Sequence, residues 1–130
     1  MIEAIRRALE LDDRLAYAVL FGSAARGTAH AQSDIDVAIG AAGGRVLDTL
    51  AIGEITSRLE SESGRTVHVI ALDDAPPALA YRVLREGKPL LVRDERALKA
   101  RLSRAILEYL DFKPLEEIFT RGVLRVRHGR

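Results

Sequence analysis

Two short segments of this 130-residue chain carry side chains whose types and spacing suit phosphoryl chemistry. Gly22 and Ser23 follow the apolar run Ala18 to Phe21, and Asp34 and Asp36 come after ten further residues. A glycine followed by a short polar residue makes a tight turn and leaves backbone N–H groups free to meet a phosphate. Aspartates at i and i+2 project from one side of a strand, because strand side chains alternate. Ile35, Val37 and Ile39 then face the other way. Such a strand anchors itself in a core and holds out two carboxylates together, whose repulsion a divalent cation relieves. Arg26, between the two segments, is available for a phosphate oxygen or is an ordinary solvated arginine. Gly-Ser alone is a common turn and D-x-D alone is common on a half-exposed strand, so the joint spacing carries the reading.

The elements that must position these groups alternate along the chain. Ile2, Ile5 and Leu9 mark a first helix, and Leu15 to Phe21 a buried strand. Ser23 to Arg26 opens a short helix whose N-terminus faces the phosphate site. Asp34 to Ile39 is the second strand, and Gly40 to Gly44 turns the chain. Leu47, Leu50, Ala51, Ile55 and Leu59 recur at helical spacing and predict a long middle helix, closed by Gly64. In the third strand, Thr66 to Ile70, parity sets Thr66, His68 and Ile70 opposite Val67 and Val69. Pro76-Pro77 starts a helix with Leu79, Val83 and Leu84 inward, and Gly87 ends it before a short strand at Pro89 to Val92. Asp94 reads as the N-cap of a helix to Leu110. Its stripe of Leu98, Leu102, Ile106 and Tyr109 suits the core or a dimer face, which leaves a homo-oligomer open. Pro114 begins a last amphipathic segment with Leu115, Ile118, Phe119 and Val123, expected to be covered by the domain itself, with the basic end Arg121 to Arg130 meeting a partner. The order predicts one α/β domain over 1–130, a small mixed sheet with flanking helices, and a helical tail over about 94–130.

With the G-S turn, the ten-residue gap and D-x-D, the chain resembles the nucleotidyltransferase fold of the DNA polymerase β superfamily. Its small size resembles the minimal nucleotidyltransferase (MNT) proteins. Gly64 to Ile70, the Asp73 to Pro77 turn, Tyr81 to Leu91 and Tyr109 to Leu115 also resemble their counterparts there, so the likeness covers nearly the whole chain. The resemblance implies that Gly22 and Ser23 grip the triphosphate of ATP and that Asp34 and Asp36 bind Mg2+. It further implies an antitoxin paired with a HEPN-domain toxin, with AMP transferred to a tyrosine of that partner. Members commonly carry a third aspartate on the strand after the middle helix, and His68 holds that position here. A neutral imidazole is a poor magnesium ligand, yet it suits a general base near pH 7. Two readings follow: a protein adenylyltransferase working through Ser23, Asp34, Asp36 and His68, or a binding-only antitoxin that neutralises its HEPN partner by contact. Transfer to a small molecule has less support, since no added substrate domain is seen.

Composition narrows the field. Without cysteine there are no disulfides or thiolate metal sites, in keeping with a cytoplasmic setting. No run approaches the roughly 20 apolar residues that span a bilayer, and no basic-then-apolar signal segment opens the chain, so a soluble protein is expected. Twenty basic and 19 acidic residues are spread without blocks, and three Tyr, three Phe and no Trp offer few stacking platforms. Both features disfavour nucleic acid as the main substrate.

Overall fold

The computed structural model describes residues 1–27 and 34–112. The segment expected from Pro114 and the basic end Arg121 to Arg130 lie outside the described residues. In chain order the elements are α1 (Ile2–Glu10), β1 (Leu15–Phe21), α2 (Ser23–Arg26), β2 (Ile35–Ala41), α3 (Thr49–Ser63), β3 (Val67–Ala71), a 3-10 turn (Leu72–Asp74), α4 (Pro77–Glu86), β4 (Lys88–Val92) and α5 (Glu95–Phe112). The strands form one mixed sheet in the order β3-β2-β1-β4. β1 runs antiparallel to both β2 and β4, and β2 pairs parallel with β3 across the α3 crossover. Fold class and element order thus match the α/β expectation. No helix among the described residues is long and apolar enough to cross a membrane.

Alternation splits the core into two layers. On one face, Ile5, Leu9, Ile55 and Leu59 of α1 and α3 cluster with Leu20, Ile35, Val37 and Ile39 of the sheet. On the other, Ala80, Val83 and Ala105 of α4 and α5 cluster with Tyr17, Val19 and Ala38. Ile35, Val37 and Ile39 are wholly buried, each contributing about 1.5–3 kcal/mol. That burial fixes the register of β2, and with it the face on which the aspartates stand.

The helix phases depart from expectation at two places. Asp48 caps α3, accepting from the Ala51 amide at 2.8 Å. The helix therefore starts at Thr49, buries Ala51, Ile55 and Leu59, and leaves Leu50 71% exposed. In α5, capped by Asp94 through the Ala97 amide at 3.0 Å, the fully buried positions are Arg101 and Ala105, while Ile106 is exposed. Small Ala105 fits against the sheet layer, and Arg101 is drawn inward by the 3-10 turn. Its Nη2 donates to the Leu72 carbonyl at 2.9 Å, and its Nε lies 3.3 Å from Asp73 Oδ1. Tyr109 does turn inward, stacked on Tyr81 at 4.4 Å between ring centroids. β2 also outruns its expected end at Ile39, because Gly40 stays in the strand and makes room for Tyr17. A Cβ on Gly40 would lie 2.1 Å from Tyr17 Cζ.

Candidate active site

The end of β1 and the starts of β2 and β3 meet at one end of the sheet. Pairing sets Phe21 opposite Asp36 on one side of β2 and His68 opposite Asp36 on the other, so three strands place these residues in one row. Asp34 precedes β2 by one residue, and His68 Nε2 lies 2.8 Å from Asp34 Oδ2. Beyond Phe21 the chain turns through Gly22, whose φ is +73°, and the Arg26 amide donates to the Gly22 carbonyl at 3.2 Å to close α2. Glycine is required there twice over. The backbone angle is unfavourable for any side chain, and a Cβ would lie 2.2 Å from Asp36 Oδ2. The turn therefore rests directly against a carboxylate.

An open cleft of about 500 Å³ is lined by Ser23, Asp34, Asp36 and His68 with apolar walls of Phe21, Ile70 and Leu79. Gly22 and Arg26 stand behind it, in an adjoining recess of about 120 Å³ that also includes Arg82. Of the six residues the sequence nominates, four share the cleft, and the other two back onto it. Burial holds the Asp36 carboxyl above its usual range; Asp34's charge adds to this, while His68 and Arg26 oppose it. Asp34 and His68 are 49% and 59% exposed, so solvent screens their pair and it adds only about 0–1 kcal/mol.

No group of three or more His, Asp or Glu side chains among the described residues is placed to hold a metal ion. His68 turns to Asp34 rather than completing such a set. Two neighbouring carboxylates, one of them raised in proton affinity by burial and by the other's charge, are nonetheless a fitting donor set for magnesium, which is commonly held by one or two carboxylates with phosphate oxygens and water completing the shell.

Sequence reasoning missed the walls of the cleft and Arg82. Leu79 reads as core, and it serves as wall as well. Arg82 carried a signal in the helix repeat: Leu79, Arg82, Val83 and Glu86 fall at i, i+3, i+4 and i+7, and all four line the recess.

The family described as polymerase beta, nucleotidyltransferase matches residues 3–96. The chain belongs to this nucleotidyltransferase family. A protein adenylyltransferase, MntA, of Shewanella oneidensis is 39% identical over 71 residues, 55% of this chain. That match spans half (50%) of the relative's length. Among solved structures, a chain of a toxin-antitoxin crystallised with AMP-PNP is 27% identical, with a TM-score of 0.76 over 95% of this chain and 98% of that one. A complex of tri-AMPylated Shewanella oneidensis HEPN toxin with MNT antitoxin shares the fold, at 22% identity and a TM-score of 0.68 over 95% of this chain and 99% of that one.

Proposed function

We propose that this protein is a magnesium-dependent adenylyltransferase that moves AMP from ATP to a tyrosine of a HEPN-domain toxin and so acts as its antitoxin. The observation that carries the reading is the row across β1, β2 and β3, which sets Asp36 against the Gly22 turn and beside Asp34 and Ser23 on one open cleft. Kinship with an adenylyltransferase and with a toxin-antitoxin holding a nucleotide analogue supports the donor and the partner.

Each residue then has a task. Backbone N–H groups of Gly22 and Ser23, with the Ser23 hydroxyl, meet the phosphates, and Arg26 adds positive charge from behind. Asp34 and Asp36 hold magnesium, which when bound neutralises phosphate oxygens and orients them. The acceptor oxygen bonds to the α-phosphorus as the bridge to the β-phosphate breaks, and pyrophosphate leaves with that electron pair. The acceptor's proton goes to His68. With Nε2–H donating to the Asp34 carboxylate, the neutral ring keeps its lone pair on Nδ1. Phe21, Ile70 and Leu79 give the nucleoside an apolar bed.

The second reading, a binding-only antitoxin, draws on the same histidine. His68 stands where a third carboxylate is expected and occupies an oxygen of Asp34, which weakens the metal set. Incubating the protein and its HEPN partner with ATP labelled at either the α- or the γ-phosphate separates the two. Label kept on the partner from the α-position alone supports nucleotidyl transfer, and label from neither supports contact.

A further inference from the structure

We propose that Arg82, on α4, is a positioning residue for the phosphate tail of the nucleotide, an assignment that rests on the nucleotide reading above. Among the described residues, no Lys or Arg lines the cleft that holds Asp34 and Asp36. One magnesium ion held there would balance the two carboxylates and leave the tail's own negative charge unmet. The adjoining recess shares Phe21 and Leu79 with the cleft, and its charged lining is Arg26, Arg82 and Glu86, a net positive set. Charge alone sends the tail past the Gly22 turn and toward these two arginines.

Neither guanidinium makes a hydrogen bond or ion pair among the described residues, and Arg26 acts on Asp36 only through its charge. Arg14, Arg93, Arg101 and Arg104 each hold carboxylates or carbonyls, and Arg85 lies over the Tyr81 ring. Arg26 and Arg82 hold neither a carboxylate nor a carbonyl. Arg82 is exposed, while its neighbour Val83 is buried in the core and sets the rotation of α4. A guanidinium is more weakly hydrated than an ammonium, and its planar fork suits phosphate oxygens. Arg26 sits on the same short helix as Ser23, whereas Arg82 comes from α4. Together they clamp a tail from two helices.

The test is competition against a fluorescent ATP analogue, in magnesium, by ATP, ADP and AMP on the full chain, comparing wild type with Arg82→Ala and Arg82→Lys. Arg82→Ala should weaken ATP about tenfold, ADP less, and AMP by under about twofold, with the thermal midpoint unchanged. Arg82→Lys should recover part of the loss, since the charge remains and the fork does not. Equal weakening of all three nucleotides, or none for ATP, overturns the assignment and leaves the nucleotide site standing. A wild-type protein that binds no ATP removes the nucleotide reading itself, and the assignment falls with it.

Discussion

Replacing Gly22 with alanine forces the turn and the Asp36 carboxylate to compete for the same space. At φ +73° and ψ −153° the backbone occupies a region that is essentially glycine's own, which costs a side chain about 1–3 kcal/mol. The added Cβ would lie 2.2 Å from Asp36 Oδ2 and 3.1 Å from its Cγ, so the carboxylate must swing off its rotamer at about 0.5–1.5 kcal/mol more. The sum, about 2–4 kcal/mol, corresponds to a fall of about 10 °C in Tm for a domain of this size. Gly27→Ala is the control. Its φ of +76° is similar, but no described residue lies within 4 Å of the added Cβ, so backbone strain of about 1–2 kcal/mol is the cost expected. Thermal unfolding followed by circular dichroism, with AMP transfer assayed in parallel, reads both effects. Displacing the Asp36 carboxylate by about 1 Å should cut transfer about 100-fold in Gly22→Ala, and Gly27→Ala should spare it. A Gly22→Ala protein that melts no lower than Gly27→Ala and transfers at full rate would refute the contact between turn and carboxylate.

Further outcomes follow from the same geometry. Because burial holds the Asp36 carboxyl up, the folded state prefers its neutral form. Ionised Asp36 thus lowers stability once pH passes its unfolded value, and fully so above its folded one. Asp36→Asn should therefore raise the thermal midpoint at pH 7, lose that gain below the usual carboxylate range, and abolish transfer, all readable in melts across pH. Magnesium should raise the midpoint of the wild type more than that of Asp34→Asn or Asp36→Asn, and EDTA should reverse it. Arg101→Met removes the Nη2 donor that ties α5 to the Leu72 carbonyl, at a cost of about 1–3 kcal/mol in urea unfolding. His68→Asp should tighten magnesium in a competition assay, whereas transfer gained only in that variant would favour the binding-only reading.

The sequence discloses the site better than its surroundings. Period-two burial of Ile35, Val37 and Ile39 dictates where Asp36 points, and Gly64, at φ +69°, closes α3 where its conformational freedom says it must. Helix phase is harder to read. Asp48 caps α3, which begins at Thr49, so Leu47 packs against the core from just outside the helix. In α5 the buried arginine could not be foreseen from periodicity, which treats every charge as outward; its partners, Leu72 and Asp73, come from a turn 29 and 28 residues upstream, positions 72 and 73 against 101. The bond between His68 and Asp34 likewise depends on the parallel register of β2 with β3, a long-range fact. Arg82 lies outside the motif, in a recess made by the helix that packs beside it.

The central claim is that this cleft transfers AMP to a protein. Intact-mass spectrometry of the HEPN partner, incubated with this protein, ATP and magnesium, tests it most directly, with Asp36→Ala alongside. The account predicts a mass gain in whole AMP units with the wild type and none with Asp36→Ala. An unmodified partner that is nonetheless silenced in a stable complex would contradict it.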